Sequence, residues 1–188
     1  MEFVVQIGVG GARPAPGTTD YYQNVPLGTV TPPRAATLVL GADTLRLNTD
    51  LLVFGGGPLS YSGDAVYVGY GATAADYAGR DVRGKIALAR IGTGPGMSPQ
   101  AALAGAARKR ALADSLGAVA VVELYDAALP WVNIARFFGR PRVDTGVEAS
   151  PRVHAWALDA GAVRIARFEA ARTVPTRFTT DGVTSVSL

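Results

Sequence analysis

GRDVRGKIALARIGTGPGMSPQAALAGAARKRALADSLGAVAVVEL, residues 79–124, decides the fold. Ile86-Ala87-Leu88-Ala89 is a short apolar run suited to a buried strand. Gly92, Gly94, Pro95 and Gly96 break it. Ser98 is placed to cap a helix with Pro99 at its first position, where each residue type is favoured. Ala102, Gly105, Ala106, Leu112, Ala113 and Leu116 recur at helical spacing on one face, and Gly117 is a helix-stopping glycine. Ala118 to Val122 is a second buried strand. A strand–helix–strand unit of this length predicts parallel strands joined by a right-handed crossover.

Outward from this unit, short strands dominate. On the upstream side, Thr37–Leu40, Thr44–Leu47, Leu51–Phe54 and Ala65–Val68 are apolar runs separated by Gly, Asn and Asp. Gly41-Ala42-Asp43 has the composition of a hairpin connection. Ser62-Gly63-Asp64 reads as a turn, and Gly69-Tyr70-Gly71 ends the strand that follows it. Residues 1–34 read as a lead-in segment, with candidate strands at Phe3–Ile7 and Tyr21–Leu27 and a break at Pro32-Pro33. Residues 35–188 form the domain proper. Downstream, Tyr125–Trp131 and Phe137–Pro141 read as aromatic and irregular. Arg152–Trp156 alternates like a half-buried strand, Leu158–Ala171 reads as a second helix, and Thr173–Thr180 and Val183–Leu188 read as strands joined by an Asp181-Gly182 hairpin turn. The apolar run to Leu188 is expected to be the edge of a larger chain. Many short strands around one strong helix favour a mixed α/β fold, a twisted sheet partly closed as a barrel, over a doubly wound one.

Composition narrows the chemistry. Of 188 residues, 48% are hydrophobic, ample for a core, yet no uninterrupted apolar segment is long enough to span a membrane. The first residues lack the basic start and apolar stretch of a secretory signal. Cysteine is absent, which removes disulfides, thiol catalysis and cysteine metal sites. Net charge is +3, but the arginines are scattered and do not interleave with aromatics as in a nucleic-acid stacking platform. The tightest basic cluster, Arg108-Lys109-Arg110, reads as a solvated helix face.

Two glycine motifs have part of the pattern of a phosphate cradle. Gly79-x-x-x-x-Gly84-Lys85 has the start of a P-loop, but Ile86 replaces the magnesium-binding hydroxyl and the lysine leads into a strand rather than a helix. It reads as a turn. Gly92-x-Gly94-x-Gly96 does lie between strand and helix, and the alternative function, a nucleotide-binding module, rests on it. Met97 stands where the dinucleotide pattern needs glycine, Pro95 stiffens the loop, and no acidic residue ends the next strand at the required distance; Glu123 and Asp126 come later.

Hydrolytic chemistry is poorly supplied. His154 is the single histidine and reads as structural. Ser60 and Ser62 lack a nucleophile elbow. Asp76 and Asp81 are turn formers in preference to an acid–base pair. Lys109 falls on the apolar stripe of the helix; its alternatives are snorkelling to water or a specific partner at the sheet edge. Trp131, Phe137 and Phe138 either dock a partner or cover the end of the barrel.

The blocks Gly63-Asp-Ala-Val-Tyr-Val-Gly69-Tyr-Gly71 and Asp76-Tyr-Ala-Gly79-Arg-Asp81-Val-Arg-Gly84-Lys85-Ile-Ala-Leu88 resemble a protease-associated domain, of the type inserted in zinc aminopeptidases of the aminopeptidase-Y and transferrin-receptor kind. Lys109-x-x-x-Ala113-x-x-x-Gly117-Ala118 followed by Val121-Val122 fits the same pattern, and Asp20–Leu27 is similar to the segment leading into the insert. The resemblance spans about residues 20–124 and departs at Arg90–Gly96, which lacks the longer Cys- and Phe-containing segment of many members. It implies a swivelling β/β/α architecture and a non-catalytic role as lid, spacer, or substrate- or subunit-contact surface. The structural motif residues would be Gly69, Gly71, Gly79, Asp81, Gly84, Lys85, Lys109 and Gly117, and the contact residues Trp131, Phe137, Phe138 and Arg90. No catalytic residue, metal ligand or cofactor is expected in this chain; zinc would belong to an adjacent peptidase catalytic domain, the implied partner, with peptide substrate as a second contact. No nucleic-acid partner and no membrane span are expected, and the implied location is secreted or cell envelope. The third alternative is a free-standing interaction domain.

Overall fold

A computed structural model of the chain describes residues 6–8, 22–24, 27–96, 99–127, 129–145 and 152–187; at 6–8, 22–24, 99–104, 144–145 and 187 it describes the backbone alone. The strands are β1 (Gln6–Gly8), β2 (Tyr22–Asn24), β3 (Leu27–Thr31), β4 (Ala36–Leu40), β5 (Asp43–Arg46), β6 (Leu51–Gly55), β7 (Leu59–Tyr67), β8 (Ile86–Arg90), β9 (Ala120–Tyr125), β10 (Arg142–Thr145), β11 (Val153–Leu158), β12 (Thr173–Thr180) and β13 (Thr184–Ser187). The helices are α1 (Pro99–Ser115), α2 (Trp131–Phe138) and α3 (Val163–Ala171). Eight strands form one mixed sheet in the order β5-β4-β12-β7-β8-β9-β11-β6. Its middle, β7-β8-β9-β11, is parallel, as the crossover through α1 requires. The edges nearly meet: Leu47 bridges to Leu51, and the Asn48 amide donates to the Leu51 carbonyl at 2.8 Å. This is a mixed α/β fold with a sheet nearly closed into a barrel.

The barrel interior is filled by alternate residues of the strands. Leu38, Leu40, Leu45, Leu51, Val53, Leu88, Val122, Leu124, Ala155 and Phe178 are all buried there, and Ile165 and Phe168 of α3 add to the same cluster. The outer face of the parallel strands is a second layer, where Ala87, Ala89 and Val121 meet Ala113 and Ala118. Small side chains let α1 lie close to the sheet. Gly105 continues that logic: a Cβ there would overlap the Thr93 methyl of the preceding loop. Gly56 is fixed for a different reason. Its φ is +92°, and any side chain would run into the Val153 backbone.

The β3 strand is flanked by β10 and β13 in a separate three-stranded sheet, and β1 pairs with β2. The Asp181-Gly182 hairpin therefore does not form. The Asp181 carboxylate accepts the Arg34 and Ala35 amides, and the chain crosses from the large sheet to the small one. Three further expectations are corrected, two by tertiary pairing and one by local conformation. Ser62-Gly63-Asp64 is no turn but the middle of β7, because β12 pairs with that strand along its whole length, from Thr180 opposite Leu59 to Thr173 opposite Val66. β11 is buried on both faces, not half-buried, since it lies between β9 and β6 with a helix layer outside. The helix expected from Leu158 starts later: Gly161 and Ala162 take left-handed φ values of 74° and 54°, and the Asp159 carboxylate then accepts the Arg164 and Ile165 amides at 2.8 Å. The hairpin at Gly41-Ala42 is as expected, with Leu40 opposite Asp43.

Candidate functional site

Alternate residues of β9 and β11 point away from the barrel interior. On β9 this outward position is Glu123; on β11 they are His154 and Trp156, in register with Val121 and Glu123. A single carboxylate thus meets three donors. Lys109 of α1 ion-pairs with Glu123 through Oε1. Trp156 Nε1 donates to Glu123 Oε2 at 3.0 Å, and His154 Nε2 lies 2.8 Å from the same oxygen. Lys109 also donates to the Arg90 carbonyl at 2.6 Å and the Gly92 carbonyl at 2.8 Å. Both charged side chains are 1% exposed. Snorkelling is therefore excluded for Lys109, whose partner is on an interior strand of the sheet rather than its edge.

The electrostatics follow from this geometry. Burial pushes the Glu123 carboxyl up, but the His154 hydrogen bond and the Lys109 ammonium outweigh it and hold the group well below the usual carboxylate range. Burial pulls Lys109 and His154 down, with Glu123 opposing in both cases. At neutral pH His154 is the neutral imidazole donating through Nε2, so Lys109 supplies the compensating charge. Nδ1 of His154 is buried without a hydrogen-bond partner. Protonating it would place a second cation beside Lys109, near Arg110, with nothing to accept the new N–H.

The aromatic residues continue outward from this node. Trp156 packs edge-on against Phe54 at 4.5 Å between ring centroids, and Phe54 meets His154 at 5.4 Å and Phe138 at 5.0 Å. Trp131 packs against Tyr125 with its ring tilted by 60° at 5.4 Å between centroids and donates Nε1–H to the Thr49 carbonyl at 2.7 Å. The aromatic stretch from Tyr125 to Pro141, its two ends Tyr125–Trp131 and Phe137–Pro141 expected to be irregular, contains the helix α2, Trp131–Phe138. Trp131, Ile134, Ala135 and Phe138 recur at three- and four-residue spacing, and laying them on Tyr125, Trp156 and Phe54 fixes a segment too short to be helical alone. Trp131 and Phe138 are half-buried and cover this part of the sheet; Phe137, on the far side of the helix, is 65% exposed. Covering the end of the barrel thus accounts for Trp131 and Phe138, and Phe137 is left exposed.

The carboxyl ends of β8 and β9 carry a second polar group. Arg90 pairs with Asp126 at 2.8 Å and lies over the Tyr70 ring, 5.3 Å from its centre. Tyr67 donates to Glu169 at 3.3 Å. Gly69, Gly71, Gly79, Gly84 and Gly117 all adopt positive φ in the turns around the crossover. The Gly84 amide donates to the Gly117 carbonyl, so the turn before β8 is tied to the turn before β9. Asp81 accepts the Arg83 amide and pairs with Lys85 at 3.7 Å; Asp76 accepts the Ala72 and Thr73 amides. Both aspartates are turn formers. The Gly92–Gly96 loop turns the Gly92 carbonyl inward to Lys109; Met97 and the Ser98 cap lie outside the described residues.

Glu123 is the residue that sequence reasoning passed over. Its signal was there: a single charge inside an otherwise apolar strand, with one lysine on an apolar helix face and one histidine on an apolar strand. Three isolated polar residues on three buried elements are each other's most economical partners. They do not fit zinc. No group of three or more His, Asp or Glu side chains converges among the described residues, and Glu123 already has both oxygens taken. No helix among those residues is long and apolar enough to cross a membrane.

No family model and no curated protein matches the chain. Among solved structures, a peptidase M28 precursor from Shewanella amazonensis superposes with a TM-score of 0.41 at 15% identity, over 87% of this chain and 40% of that one. The chain therefore spans well under half the length of that neighbour.

Proposed function

We propose that this chain is a non-catalytic accessory domain of the protease-associated type, belonging to a zinc-dependent aminopeptidase-type peptidase and acting as a lid, spacer or contact surface. The observation that carries the reading is what the motif residues do. The glycines of Gly69–Gly71 and Gly79–Gly84 turn the chain around the crossover; Lys109 and Gly117 fasten the crossover helix to the sheet. The residues of the resemblance are thus framework, and the ionisable cluster they include is closed off from solvent and used up by internal partners. What faces outward nearby is aromatic and basic instead. The parent's zinc and its ligands would belong to the adjacent catalytic domain.

The test is direct. The purified chain, supplied with zinc, is expected to give no hydrolysis of aminoacyl-p-nitroanilides above the buffer rate. Zinc-dependent turnover that co-purifies with the chain and is abolished by a chelator overturns the proposal.

A further inference from the structure

The exposed large apolar side chains are not spread evenly. Six are described, and four of them, Leu129, Val132, Phe137 and Val143, fall on α2 or directly beside it. The same stretch, residues 127–143, contains Arg136, Arg140 and Arg142 and no carboxylate. Arg142 is accounted for, lying over the Phe138 ring at 5.4 Å. Arg136 and Arg140 are exposed and enter no ion pair among the described residues. Lys85, Arg90, Lys109, Arg152, Arg164 and Arg167 each pair with a carboxylate, whereas residues 127–143 hold three arginines and no acid, a local surplus of positive charge beside apolar surface.

The arrangement on the helix selects the occupant. The inward face of α2 is the converged apolar one. On the outward face Val132 and Phe137 are about 140° apart at ~100° per residue, with Asn133 and Arg136 between them. A helix lying on a membrane needs its apolar side chains gathered on the face it inserts. Here they flank a polar centre, the pattern of a protein interface in which arginine and a large aromatic anchor the contact. We infer that the outward face of α2 binds a short acidic segment of another polypeptide, whose carboxylates pair with Arg136 and Arg140 and whose apolar side chain packs on Phe137. The inference rests on reading this chain as a contact domain and names the chemistry of what it contacts.

The experiment uses the whole chain, immobilised, to select from a displayed library of random short peptides. Recovered peptides are then synthesised and titrated by fluorescence anisotropy. Expected peptides carry at least two carboxylates around a large apolar residue, and their affinity drops on raising the salt. Arg136→Glu with Arg140→Glu weakens binding at least about tenfold, and adding Phe137→Ser weakens it further. Arg108→Glu, on the exposed side of α1, leaves it unchanged. All substituted side chains are exposed, so melting curves of the variants overlay that of the parent chain. No enrichment, enrichment without acidic residues, or equal binding to the variants overturns the inference. So does binding to vesicles containing ~30% phosphatidylserine in the absence of peptide enrichment, or a self-association that the charge reversal abolishes. Zinc-dependent turnover in the hydrolysis assay, by contrast, would overturn the accessory-domain reading while leaving the peptide result in place.

Discussion

Two helices cover the same outer face of the same sheet, and they do it by opposite means. α1 lies over β8 and β9 with buried alanines and a glycine, flanked by the partly buried Leu112 and Leu116, and sends one lysine down to a carboxylate. α2 lies over β11 and β6 with large rings and leaves every one of them partly in water. Under α1 the chain has buried two opposite charges and satisfied nearly every polar atom around them. Under α2 it has buried almost no polar group and has no need to close the site. A charge in the interior tolerates no missing partner, because desolvation costs several kcal/mol per ion. An aromatic face tolerates half-exposure, because its stabilisation scales with area covered. The first region is therefore committed to the fold, while the second retains surface to offer.

The largest effect should come from breaking the ion pair on one side. Glu123→Ala leaves the Lys109 ammonium buried with only two carbonyls and is expected to destabilise the protein by about 3–5 kcal/mol in chemical denaturation. Replacing both partners, Lys109→Met with Glu123→Leu, should recover a large part of that loss, since no bare charge remains. The recovery stays partial because His154 and Trp156 lose their acceptor. If the double variant is as unstable as the sum of the singles, the contrast between the two helices is wrong.

Phe138→Ala tests the other side. The ring packs on Phe54 and Trp156 yet is only half-buried, so about 2–3 kcal/mol is expected, below the cost at a fully enclosed site. A loss as large as that of Glu123→Ala would mean that α2 belongs to the core.

The acid limb of stability gives a smaller effect with a definite sign. His154 is held neutral in the fold, with its pKa below the ordinary value of about 6.5. The unfolded chain binds the proton first, so this residue lowers stability as pH falls below about 6.5, by at most ~1.4 kcal/mol per pH unit, until the folded-state pKa is reached. His154→Gln keeps a donor for Glu123 and should flatten the fall in stability just below about pH 6.5. The Glu123 contribution is lost only at lower pH, as the pH falls below the ordinary carboxyl pKa of about 4.5 toward the folded-state value of about 2, so the two are separable. An unchanged slope in the variant would show that His154 is not the titrating group.

The smallest effect is expected at the tip of α2. Phe137→Ser should shift stability by no more than about 0.5 kcal/mol, since the ring is mostly in water and only its edge meets Phe138. Set beside Phe138→Ala, this neighbouring pair separates the ring of α2 that holds the fold from the ring that does not.

Much of the fold was legible because it is written in local chemistry. The β8–α1–β9 unit could be read from two apolar runs, a helix stripe and the glycines between them, and the Gly41-Ala42 hairpin and Thr173–Thr180 strand from composition alone. Misreadings arose where a distant strand decided the outcome. Ser62-Gly63-Asp64 has turn chemistry, but β12 holds it extended. Asp181-Gly182 has hairpin chemistry, but Arg34 and Ala35 claim the aspartate. The candidate site was legible only as three puzzling residues, and the helix α2 only as an aromatic cluster, since an eight-residue segment has no stable helical state until something flat and apolar lies beneath it.

By itself, then, the amino-acid order determined the fold class and the crossover at its centre, because period and turn chemistry act over a few residues. Tertiary structure alone decided that Lys109, Glu123 and His154 are one group: they lie 14 and 31 residues apart and come together because α1, β9 and β11 are stacked and registered. It also decided that residues 131–138 are a helix at all and what its apolar face covers, since that depends on where Phe54 and Trp156 stand; only then does the spacing of Trp131 and Phe138 put them inside and Phe137 outside.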